Sequence, residues 1–81
     1  MGILRVISKR GDDRVHWNKQ DALAGDAEAN AAIGEAERIF ARERARGATA
    51  YRLEAGKPVE RLERFDPQSS HIILEPRVAG G

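Results

Sequence analysis

The chain has 81 residues, enough for one small domain with a modest core. It contains no cysteine, which removes disulfides, thiolate metal sites and thiol nucleophiles, and no apolar run approaches the roughly 18 residues of a membrane span. Fourteen basic residues nearly balance thirteen acidic ones, and the formal net charge of +1 argues against a protein built mainly to hold nucleic-acid phosphates.

The first segment, ILRVIS, is rich in β-branched and aliphatic residues and predicts a strand, with Leu4 and Val6 on one face and Ile3, Arg5 and Ile7 on the other. KRGDD follows, and Gly11 with its paired aspartates predicts a turn. RVHW then alternates again, Val15 and Trp17 against Arg14 and His16, so residues 2–17 read as a β-hairpin. The polar, alanine-rich NKQDALAGDAEAN reads as a loop that is already partly helical.

Asp26 is the expected N-cap of a long helix, with Glu28 in the first turn where the helix dipole favours an anion. Ala29, Ala32, Ile33, Ala36, Ile39 and Phe40 recur at spacings of three and four and draw one apolar stripe. Arg42, Arg44 and Arg46 crowd the last turn and Gly47 ends it, which predicts a helix over about residues 26–46. ATAYRL reads as a strand, with Thr49, Tyr51 and Leu53 alternating against Ala48, Ala50 and Arg52. EAGKP is a turn, VERLERF a short strand with a bulge, DPQSS a loop and HIILEP a last strand ended by Pro76. A hairpin, one long helix and two or three further strands imply an α+β domain, a sheet covered on one face by the helix. The other face is expected to carry Arg and His side chains.

The chemistry-bearing residue types do not assemble into an enzyme site in the sequence. His16 and His71 lack the short local ligand spacing that zinc sites show, so both are read as solvent-side strand histidines. Ser69-Ser70 before His71 is a loop rather than part of a Ser-His-Asp set, and the glycines are too scattered for a phosphate loop. RGDD is a hairpin turn in preference to a recognition motif. ARERARG is a dipole-compensated helix end, interrupted by Glu43, in preference to a nucleic-acid patch. Trp17 and Phe40 are expected in the core.

The order of elements, with EPRVAGG after the last strand, resembles the β-grasp, ubiquitin-like proteins. The Val-Ala-Gly-Gly ending and the preceding FDPQSSHIILEP are similar to the small sulfur carriers of molybdopterin and thiamine biosynthesis, and bacterial ubiquitin-like modifiers share the architecture. Arg77 stands where the sulfur carriers tend to have a second proline, which is the more ubiquitin-like choice. The resemblance implies a β-grasp domain over residues 1–76 and a flexible tail over 77–81.

It also implies a protein that is not itself an enzyme. A partner activating enzyme would adenylate the Gly81 carboxylate with ATP, Gly80 providing a slim approach and Arg77, Val78 and Ala79 contacting that enzyme. The product would pass to sulfide as a thiocarboxylate, or through a conjugating enzyme to a lysine of a target. Lys9, Lys19 and Lys57 are the possible acceptors on a second copy. No stably bound cofactor or metal, no nucleic acid and no membrane enter this picture, and a monomer is expected. The start MGILRVISKRGDD lacks a secretory signal pattern and the composition is rich in arginine and alanine, so a bacterial, cytoplasmic protein is the expectation. A non-covalent β-grasp interaction module is the alternative.

Overall fold

A computed structural model of the chain describes residues 1–8 and 11–77. The hairpin forms as the alternation predicts: strand β1 (Gly2–Ser8) pairs antiparallel with β2 (Gly11–Trp17), from Gly2 opposite Trp17 to Ser8 opposite Gly11. One sequence expectation is corrected here. Gly11, Asp12 and Asp13, read as the turn, belong to β2, because Gly11, Asp12 and Asp13 pair with Ser8, Ile7 and Val6. Lys9 and Arg10 lie outside the described residues.

The stretch after Trp17 forms a short helix, α1 (Lys19–Leu23), capped by Asn18, whose Oδ1 accepts from the Asp21 amide at 2.9 Å. Gly25, at φ +89°, turns the chain into α2 (Ala27–Ala45). Asp26 is the N-cap as predicted, its carboxylate accepting from the Ala29 amide at 2.9 Å. Asn30 ties the two helices, its Nδ2 donating to the carbonyls of Ala22 at 3.1 Å and Asp26 at 2.9 Å.

Past α2 come β3 (Thr49–Leu53), β4 (Glu60–Leu62) and β5 (His71–Glu75). The sheet has five strands in the order β2-β1-β5-β3-β4, with β1 and β5 parallel and the other pairs antiparallel. Where a bulge was expected in VERLERF, β4 is a regular three-residue edge strand, with Leu62, Arg61 and Glu60 opposite Ala50, Tyr51 and Arg52. Val59 just before it is 61% exposed, so it supplies no apolar anchor to lengthen the strand.

The core lies between α2 and one face of this mixed sheet, a layout consistent with a β-grasp. Leu4, Val6, Trp17, Ala50, Leu62, Ile72 and Leu74 come from the strands, and Ala36, Ile39 and Phe40 from the helix. Phe65 fills the end of the core from the loop after β4, with ring centroids 5.7 Å from Trp17 and 5.9 Å from Phe40. The Trp17 indole lies directly over Gly2, where a β-carbon would sit 2.2 Å from Cε2, so that position has room only for glycine. Trp17 Nε1 donates to the Pro67 carbonyl at 2.9 Å, which fastens the 66–70 loop to the hairpin. No helix among the described residues is long and apolar enough to cross a membrane.

Candidate functional site: the root of the C-terminal segment

β5 lies inside the sheet, parallel to β1 on one side and antiparallel to β3 on the other, so this strand is held by hydrogen bonds along both edges. The chain leaves it through half-buried Pro76 and exposed Arg77. The Arg77 stem rests on Gly47, whose φ of +95° closes the end of α2, and a β-carbon there would lie 3.2 Å from Arg77 Cδ. An aliphatic stem covering backbone while its charge stays at the surface is ordinary arginine packing. The resemblance implies an enzyme contact for Arg77; in the structure its stem also packs at the exit of the chain.

The end of α2 beside it is neutralised locally. Glu43, only 8% exposed, accepts from Arg42 Nε at 3.1 Å and pairs with Arg46 at 3.6 Å. Arg44 donates to the Ala48 carbonyl and to Glu63, both at 3.0 Å. These arginines thus close the helix end as the dipole argument predicts. Val78, Ala79, Gly80 and Gly81 lie outside the described residues, as does Lys9.

The remaining two lysines differ sharply. Lys19 Nζ donates to the Gln68 carbonyl at 3.2 Å and to Ser70 Oγ at 3.1 Å, so it helps fasten the 66–70 loop. Lys57 sits in the turn after β3 with its side chain 71% exposed and Glu54 at 3.4 Å. His16 and His71 flank Ile3 on the uncovered sheet face, one from β2 and one from β5. Burial first, then the charges of Arg5 and Arg14, hold the His71 pKa below its ordinary value, and its Nε2 is buried without a hydrogen-bond partner. Among the described residues no group of three His, Asp or Glu side chains could hold a metal ion.

Sequence reasoning missed three residues. Arg52, read only as an alternating strand residue, holds the β3–β4 edge to the following loop. It bonds Glu60, reaches Asp66 at 3.1 Å and stands 4.0 Å from Glu54. The hydrogen bond to Glu60 raises its pKa against the opposing effect of desolvation, with the charges of Glu60, Glu54 and Asp66 adding to the rise. Ser69 is buried with an unpartnered Oγ rather than a simple loop hydroxyl, and Gly2 is fixed by Trp17. Nothing local announces the burial of Ser69, and the contacts of Gly2 with Trp17 and of Arg52 with Asp66 join positions fifteen and fourteen residues apart.

At the opposite end of α2 an open cleft of about 260 Å³ lies between Met1, Trp17, Asn18 and the first helical turn. Of its three carboxylates, Asp26 caps α2, and Glu28 and Asp21 lie in the first turns of α2 and α1, where the helix dipole favours an anion. Comparison with protein-family models, with curated proteins and with solved structures found no match to this chain.

Proposed function

We propose that the chain is a ubiquitin-like carrier or modifier, used at the Gly81 carboxylate. The supporting observation is the exit of the chain: a doubly paired strand, then Pro76 and a packed Arg77, lead straight into Val78-Ala79-Gly80-Gly81. Such a root fixes where the chain leaves the sheet. Two glycines without β-carbons can then enter a channel too narrow for any side chain.

In the proposed reaction a Gly81 carboxylate oxygen attacks the α-phosphate of ATP within a partner activating enzyme. Pyrophosphate leaves, and a mixed acyl-phosphate anhydride with AMP remains. A sulfur nucleophile then attacks the acyl carbon and expels AMP, giving a thiocarboxylate from sulfide or a thioester from a partner cysteine. From the thioester, a lysine amine displaces the thiol and forms an isopeptide bond, losing its proton to solvent. This chain supplies the carboxylate and the surface that positions it; the partner supplies the catalysis, so the chain has no enzymatic role of its own. The chemistry requires Gly81 to carry a free carboxylate, whether as synthesised or after cleavage.

The alternative is a non-covalent interaction module, which the uncovered sheet face favours. Expression of an N-terminally tagged chain in its own host, beside a copy lacking Gly81, separates the two. Higher-mass species on a denaturing immunoblot that vanish with the deletion are the expected result for a modifier. An intact-mass gain matching replacement of oxygen by sulfur is expected for a carrier. A single band from each copy, and an intact mass of each that matches its own unmodified sequence, would overturn the proposal in favour of the module.

A further inference from the structure

The strands of the sheet are not equally anchored. β1 buries Leu4 and Val6 and β5 buries Ile72 and Leu74, all four at most 5% exposed. β4 lies at the edge of the sheet, with Glu60 and Arg61 exposed. Across residues 54–64 Leu62 is the one buried side chain. The turn that leads into β4 closes on itself: the Lys57 amide donates to the Glu54 carbonyl at 3.1 Å, and Gly56 takes φ +75°. Both ends of the segment are held by the body of the fold. Leu53 pairs with His71 of β5 before it, and Phe65 packs on Trp17 and Phe40 after it.

Two ion pairs fasten the segment to that body. Arg52 of β3 bonds Glu60, and Arg44 of α2 donates to Glu63 at 3.0 Å. The Glu60 and Glu63 side chains are 59% and 75% exposed, so water competes for both pairs. Neither arginine is stranded when its glutamate moves away. Arg52 keeps Asp66 of the 66–70 loop at 3.1 Å, and Arg44 keeps the Ala48 carbonyl at 3.0 Å. A stretch with few buried apolar contacts and exposed ties, set between anchored ends, is what opens locally at less cost than global unfolding. We infer that residues 54–64 form a latch over the outer edge of β3, closed by Leu62, Arg52–Glu60 and Arg44–Glu63, which opens as a unit while the rest of the fold stays intact. Opening frees the backbone groups of Ala50, Tyr51 and Arg52 that β4 occupies, and an unpaired edge of that kind accepts another extended chain. The latch is independent of the Gly81 chemistry and would act in a carrier, a modifier or an interaction module alike.

Amide hydrogen exchange of the full chain, resolved by residue across a urea series, tests the latch. The amides of the β4 ladder are expected to exchange faster than those of Leu4, Ile72 and Leu74, and with a shallower dependence on urea, because less surface is exposed in opening. Glu60→Gln/Glu63→Gln removes both ion pairs and is expected to speed β4 exchange by about fivefold or more. Asp26→Ala weakens α2, which stays folded when the latch opens. It is expected to speed exchange at Leu4, Ile72 and Leu74 by about two- to thirtyfold while β4 exchange stays within about twofold of the parent. The same urea dependence for β4 as for β5, or β4 exchange that rises with Asp26→Ala by the same factor as β5, would show that β4 opens only with the whole fold and would overturn the inference. So would β4 amides with no protection at all, or with rates untouched by the double glutamate variant.

Discussion

The two faces of the sheet are made by the same strands and separated by one residue of register, yet they have opposite characters. Leu4, Val6, Ala50, Ile72 and Leu74 point towards α2 and are at most 5% exposed. Their neighbours Ile3, Arg5, Tyr51, His71 and Ile73 are half-buried on the other side. The helix makes the difference. Apolar side chains beneath α2 pack against the helix, whereas the other face carries the arginine and histidine side chains of β1, β2 and β5.

The comparison predicts larger stability effects on one face than on the other. Leu74→Ala, beneath α2, is expected to destabilise the fold by about 2–5 kcal/mol in urea unfolding, while Ile73→Ala loses markedly less. Equal losses at the two positions would break the distinction between the faces. Gly2→Ala should cost about 1–3 kcal/mol, because the added carbon drives the Trp17 indole from its seat. A changed tryptophan emission should accompany it, and an unchanged melting temperature would show that the indole has another place to go. Asp26→Ala removes the N-cap of α2 and is expected to lower stability by about 0.5–2 kcal/mol, measured by the same unfolding titration.

The smallest effect is the one that reports on the uncovered face. Since the pKa of His71 is lowered in the folded state, the unfolded chain binds the extra proton first as pH falls. The His71 contribution is therefore neutral above the ordinary histidine range and turns unfavourable as pH drops through about 6.5 towards the folded pKa. His71→Gln should flatten this part of the stability–pH profile, and Arg5→Gln should shrink it by removing one of the two repulsive charges. A profile of the same slope in parent and His71→Gln would assign the effect to other groups.

Much of this was legible because it is local. The alternation in ILRVIS and RVHW specified the two faces of the hairpin, and the stripe from Ala29 to Phe40 with Asp26 before it and Gly47 after it specified α2. The turn was misplaced because Gly and Asp favour turns in isolation. In the fold, cross-strand pairing from Gly2–Trp17 onwards carries the register through Asp12 and Asp13. The bulge expected in VERLERF was an attempt to place Val59, Leu62 and Phe65 on one strand. The chain instead uses Leu62 in β4 and delivers Phe65 from the loop that follows. The root of the tail divides in the same way: Pro76 and the diglycine are visible in the sequence, while the contact of Arg77 with Gly47 spans thirty positions and leaves no local trace.

By itself, then, the sequence determined the element types, the helix caps and the inward and outward residues of the strands. Those depend on period, dihedral preference and hydrogen bonds within a few residues. Only the tertiary structure decided that β5 inserts beside β1, that Lys19 and Trp17 fasten the 66–70 loop, and that Ile3 stands between His16 and His71. Those are meetings of segments far apart in the chain. Burial of a shared apolar face selects them, and a charge brought along on the opposite face takes whatever neighbour the register supplies.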